Sequence, residues 1–150
     1  MSAIAATFRP IPFPGIDTLR RDPAAQAFML LRVVFIVAPI LFGIDKFAHV
    51  LVNWDKYLAP EFTDLFNVEA HTLMYVVGAI EIVAGLVVLL SPRFGGYLVA
   101  AWLAGIITNL LLIGDYYDIA LRDFGLLLAA LTLSRLATVF PAALPLRQKV

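Results

Sequence analysis

Glu81 is the residue whose type and position could do the most chemistry. It falls midway along an apolar stretch, 71–90. If that stretch crosses a bilayer, an ionised carboxylate at its centre costs on the order of 3 kcal/mol. Such a group is paired, held protonated, or turned to a wet cavity. A paired carboxylate is a packing residue, whereas the other two states would allow ligand, proton or partner contact. Gly78, Glu81 and Gly85 stand at i, i+3 and i+7 on one helical face, where the glycines let another backbone or a ligand come close. Arg32 interrupts the preceding apolar stretch and is the expected counter-ion, its long arm reaching inward to Glu81. The competing expectation is that Arg32 snorkels to the headgroups. Asn109 completes the expected intramembrane polar core. It ends a row with Ala101 and Gly105, which reads first as a packing seam with an interhelical hydrogen bond. Gly43, Gly78, Gly85 and Gly105 are the expected close-packing glycines.

A second group of polar residues brackets the apolar stretches. Asp45, Lys46 and His49 follow the first of them, and Arg122 and Asp123 begin the last. Together they could form a cross-helix charge network at the outer rim of a bundle, or be ordinary interfacial charge. His49 and His71 have no Asp, Glu or Cys at a ligand-like spacing, so no metal is expected. Arg135, near the end of the last stretch, is placed to reach lipid phosphate. There is no cysteine, and hence no disulfide, thiolate site or iron–sulfur ligation. Phosphate-binding glycine loops, GxSxG, HExxH and CxxCH are likewise missing. No catalytic residues are assigned, and a direct enzyme is the least favoured reading.

The elements that must position these groups follow from composition. The 150 residues are 62% hydrophobic and 15% charged, with mean hydropathy +0.92. That leaves too little polar chain to coat a water-soluble domain. Four apolar stretches, about 27–44, 71–90, 94–113 and 119–140, each run close to 20 residues. At ~1.5 Å per residue, each matches a ~30 Å hydrocarbon core. The expectation is one all-α domain over 25–140, a four-transmembrane-helix bundle in the cell membrane. An N-terminal tail covers 1–24, and a C-terminal tail covers 141–150. Asp22-Pro23 and Ser91-Pro92 read as N-cap and first-turn proline pairs. Pro39 is expected to kink the first helix, Gly114 to end the third, and Pro141 to stop the fourth. The 45–70 connection mixes charges with Phe47, Trp54, Tyr57, Phe62 and Phe66, the composition of a segment at headgroup level. Pro60, Glu61 and Thr63 could open a short surface helix there. The proline-punctuated tail lacks the pattern of a signal peptide.

Basic residues set the expected orientation. Arg9, Arg20 and Arg21 lie in the N-terminal tail, Arg93 in the second turn, and Arg147 and Lys149 at the C-terminus. The other two connections are dominated by acids. Counting Lys and Arg puts both termini and the second turn in the cytoplasm. Net charge is zero, and nothing suggests nucleic-acid binding.

Arg32, the run Gly43-Ile44-Asp45-Lys46-Phe47, the run Gly78-Ala79-Ile80-Glu81-Ile82-Val83-Ala84-Gly85, and the four-span layout from about 28 to 140 together resemble the DoxX family of small membrane proteins. The resemblance implies a non-catalytic accessory or anchor subunit of a quinone-linked redox assembly. The expected partners are membrane lipid and a redox protein. There is no intrinsic cofactor, and a bound quinone is the only carrier the chain itself would hold. The alternative is a small proton-coupled transporter or lipophilic-ligand binder using Glu81. Homo-oligomerisation through the row Gly96, Ala100 and Ala104 is plausible, though that row would equally pack within the bundle.

Overall fold

In the computed structural model, residues 10–140 are described. Arg9, Pro141, Arg147 and Lys149, with the whole C-terminal tail, lie outside them. The described chain is all-helical. The elements are α1 (Ile16–Arg21), α2 (Pro23–Ala48), a 3-10 turn (Trp54–Tyr57), α3 (Pro60–Phe66), α4 (Ala70–Leu90), α5 (Pro92–Ile113) and α6 (Tyr117–Val139). Helices α2, α4 and α5 are long and apolar enough to cross a membrane. Helix α6 matches them in length at 23 residues, but carries Asp118, Arg122, Asp123 and Arg135.

The helix ends fall where local chemistry puts them. The Asp22 carboxylate accepts a hydrogen bond from Ala24 N at 2.9 Å, with Pro23 in the first turn of α2. Helix α2 runs on through Pro39 to Ala48. Ser91 serves two helices through its backbone: its N–H donates to Val87 O and its carbonyl accepts from Gly95 N, each at 2.7 Å. One residue therefore turns the chain, with Pro92 opening α5. Gly114 ends α5 at φ +80, a left-handed conformation that costs glycine nothing. Helix α3 forms at Pro60, as its sequence suggests, and Asn67 closes it at φ 49.

Segment 10–22 is more ordered than the polar tail that composition suggests. Ile11 is buried, and the Gln26 side-chain amide donates to Leu19 O at 2.7 Å, tying α1 to α2.

The long helices pack as two antiparallel hairpins, α2 on α4 and α5 on α6, which then meet chiefly through α4 and α5. One end of the bundle has an apolar core: Phe28 and Phe35 of α2, Ala84 and Val88 of α4, Val99 and Leu103 of α5, Ala130 and Leu133 of α6. The outward faces are also apolar, with Leu30, Leu41, Val83, Leu111, Leu121 and Phe124 exposed. A helix apolar on all sides, with so much of it uncovered, is the pattern of a helix whose outer face meets something other than water.

Gly43, Gly78 and Gly85 form the α2–α4 seam. A Cβ on Gly43 would lie 2.6 Å from Gly78 O, one on Gly78 2.8 Å from Gly43 O, and one on Gly85 2.8 Å from Ile36 O. Gly105 departs from expectation, since a Cβ there meets nothing within 4 Å. Gly96 and Ala100 are buried within the bundle, Gly96 against Ala130 and Ser134 of α6, while Ala104 is exposed.

Candidate functional site

Beyond the apolar core, the other half of the bundle holds a buried charge cluster built on the α2–α4 seam. Lys46 Nζ lies 2.6 Å from Glu81 Oε2, with the side chains only 5% and 10% exposed. The register explains the pairing. With Gly43 against Gly78 and Ile82, Lys46 sits one turn beyond the level of Glu81. In both helices Cα–Cβ bonds tilt toward the N-terminus. Because α2 and α4 are antiparallel, Lys46 leans inward and Glu81 outward, and the two side chains converge.

The same register corrects the expected Arg32–Glu81 pair. Arg32 stands at the level of the α4 C-terminus, eight residues or ~12 Å from Glu81 along the helix. Its guanidinium donates from Nη2 to Leu89 O at 2.8 Å and from Nη1 to Pro12 O at 3.2 Å. It also lies 4.0 Å from the centre of the Phe13 ring. Arg32 therefore neither pairs with Glu81 nor snorkels. It is 2% exposed and satisfies a carbonyl that the end of α4 leaves open, at the favourable end of that helix's dipole. Lys46, expected in a separate rim network, takes the inward role instead.

The connection after α2 covers this pair. Asp45 organises it: its carboxylate accepts from Val50 N at 3.1 Å, Leu51 N at 3.0 Å and Trp54 Nε1 at 2.6 Å. The chain is thereby folded back so that the Trp54 ring lies 3.9 Å from Lys46 Nζ. Lys46 thus has a carboxylate on one side and an aromatic face on the other. Trp102 and Asp123 are the other groups that bear electrostatically on Glu81. The Trp102 indole nitrogen is buried without completing a hydrogen bond of good geometry.

Asn109 is a further correction. It bonds to no neighbouring helix in the described structure. Its carbonyl accepts from Ala59 N at 2.8 Å and its amide donates to Tyr57 O at 2.5 Å, pinning the connection to α5. The expected rim network is also divided. Asp45 holds the connection, Lys46 joins Glu81, His49 stacks on His71 with ring centroids 4.9 Å apart, and among the described residues Arg122 forms an ion pair only with its neighbour Asp123, at 3.8 Å. Sequence reading missed the roles of Trp54 and Trp102. An aromatic in a surface connection such as Trp54 carries no signal of what it will cover, and Trp102 reads as one more apolar residue of its helix.

A shallow groove of about 350 Å³ runs along the outer face of α2, lined by Val33, Val34, Val37, Ala38, Leu41, Phe42 and Leu51. It presents no polar group. Searches against known proteins found no matching family model, no matching curated protein and no matching solved structure.

Proposed function

We propose that the chain is a DoxX-like, multi-pass protein of the cell membrane, whose four long helices all cross the bilayer with both termini in the cytoplasm. We further propose that it serves as a non-catalytic accessory or anchor subunit of a quinone-linked redox assembly. The observation that carries this reading is the Lys46–Glu81 pair. A buried carboxylate 2.6 Å from a buried ammonium is already neutralised, as a structural element of a scaffold requires. Such a pair costs desolvation and is retained only with good geometry, which the flanking Trp54 ring and the close α2–α4 seam supply. The uncovered apolar faces give lipid and a partner helix their contact surface. The α2 groove has the lining a prenyl tail would need, while any redox-active centre would belong to the partner or to the bound quinone.

Native mass spectrometry of the protein, extracted gently from its own membranes, tests this. The expected result is a reproducible larger complex, a co-purifying quinone mass, or both. A bare monomer or homo-oligomer without ligand would overturn it.

A second reading rests on Glu81 itself, with Asp123 as a second buried carboxyl group whose charge bears on it. Two buried carboxyl groups that sense each other suit a small proton-coupled transporter or lipophilic-ligand binder. On that reading, Glu81→Gln abolishes proton-coupled uptake in proteoliposomes. Coupling that survives the substitution would eliminate it.

A further inference from the structure

His49, Asp55 and His71 are unremarkable in sequence, at separations of six and sixteen residues, and no metal is expected from such spacing. Folding brings them together. Helix α2 ends at His49 in the left-handed conformation, φ 55, unusual for a residue with a Cβ. The turn that follows is held by Asp45, and the Asn53 side chain accepts from Asp55 N at 3.1 Å to open the 3-10 turn. Asp55 is thereby set against His71 in the first turn of α4, with Oδ2 3.1 Å from His71 Nδ1. One ligand atom from each of the three residues lies within 4.8 Å of the other two.

Two features set this group apart from a simple aspartate–histidine contact. First, His49 Nε2 and Asp55 Oδ1 are both buried without a hydrogen-bond partner. Orphaned polar atoms of this kind are uncommon and call for an occupant. Second, His71 Nε2 is 2.8 Å from the Tyr75 hydroxyl. This contact holds the ring with Nδ1 turned toward the Asp55 carboxylate. With Nε2–H donating to Tyr75, Nδ1 is left free to ligate a cation shared with that carboxylate. A histidine whose outer nitrogen is fixed by a hydrogen bond while the inner one faces a carboxylate is arranged like a metal ligand.

We propose that His49, Asp55 and His71 form a binding site for a divalent transition-metal ion, zinc by the chemistry of its donors, with a fourth position left for water. Two imidazole nitrogens and one carboxylate oxygen suit a borderline ion such as zinc better than calcium or magnesium, which take oxygen ligands. Ligands at ~2.0–2.1 Å from a tetrahedral ion lie ~3.3 Å apart; Asp55 Oδ2 and His71 Nδ1 already stand 3.1 Å apart, and the remaining separations, up to 4.8 Å, must shorten on binding. His71, with a side chain 47% exposed, has room to move and leaves the ion a path from solvent. The site would pin the outer end of α2, the connection and α4 together at a point separate from the Lys46–Glu81 pair. It goes beyond the accessory-subunit reading and does not depend on it.

The test uses the full chain in detergent micelles or nanodiscs, with any affinity tag removed and prior metal stripped by chelator. Zinc is titrated calorimetrically, and cobalt(II) is followed through its visible d–d absorption. One ion per chain is expected, with cobalt bands of four-coordinate intensity. Binding should weaken roughly tenfold or more in His71→Ala and in His49→Gly. Glycine suits the positive φ at 49, so the second variant removes the imidazole without adding strain, and helical circular dichroism checks the fold. If either variant fails to fold, Asp55→Asn serves in its place. No stoichiometric binding of either ion, or binding that these variants leave unchanged, overturns the proposal.

Discussion

Lys46→Met is expected to lower stability by about 3–5 kcal/mol, the cost of leaving a buried carboxylate without its partner. The measurement is reversible unfolding of the purified protein in mixed micelles, followed by helical circular dichroism. Three observations place this variant among the most damaging. The pair is almost fully buried, Lys46 makes the only short ion pair to Glu81 among the described residues, and the Trp54 ring over Lys46 loses its cation as well. The double variant Lys46→Met with Glu81→Leu should recover most of the loss, because removing both charges also removes the desolvation cost. A single variant as stable as the parent would mean that the carboxylate is not confined with Lys46 as described. A double variant no better than the single one would mean that the loss came from packing rather than charge.

The second large effect is expected on the α2–α4 seam. At Gly78 a new Cβ would lie 2.8 Å from Gly43 O and close to the side chains of Lys46 and Phe47. The nearest obstacle is backbone, which cannot rotate away, so a larger residue has to drive the two helices apart. Gly78→Leu should therefore cost more than the ~1–3 kcal/mol of ordinary overpacking, and it should displace Lys46 from Glu81 as it does so. Gly105→Ala provides the contrast. That position faces open space within an α-helix, where alanine should be neutral or gain up to ~1 kcal/mol through propensity alone. The same unfolding assay reads both. Equal effects at the two positions would contradict the close approach at the seam.

Much of the helical layout was legible because local chemistry fixes it. Asp22-Pro23, Ser91-Pro92 and Gly114 mark boundaries that need no tertiary information, and the four helices lie within a few residues of the apolar stretches. Partners were not legible, because they depend on register. From the sequence, Arg32 and Glu81 each need a counter-ion, and a long arm could bridge their levels. Nothing in the chain states that Arg32 stands opposite Leu89 while Lys46 stands one turn from Glu81. A partial signal existed in the glycines. Seating Gly43 against Gly78 and Gly85 against Ile36 and Ile40 fixes the α2–α4 register, and from it Lys46 emerges as the nearer cation. Asn109 misled for a different reason. An amide in an apolar helix satisfies its needs equally well from a neighbouring helix or a folded-back connection, and the sequence does not distinguish the two. The spacing of His49, Asp55 and His71 along the chain gives no sign that they meet, because the turn that brings Asp55 to the histidines depends on the Asp45 carboxylate, a contact across the connection rather than along it.

The division of the bundle into two antiparallel hairpins bears on how such a chain would enter a bilayer during synthesis. Helix α2 emerges first and carries Lys46, whose charge is compensated only when Glu81 arrives with α4. A lone charge at the centre of a span costs ~2.5–3.5 kcal/mol; that weighs on Glu81 in the middle of α4 more than on Lys46 in the last turn of α2, and the joined pair carries no net charge. If the long helices cross the bilayer as proposed, the first hairpin is most favourably released into lipid as a unit, with the connection already folded over the end of α2 that carries Lys46. The second, joined to it through the single residue Ser91, can follow against a surface already formed. The ion pair that fixes one site in the finished protein would then also set the order in which its helices leave the insertion machinery.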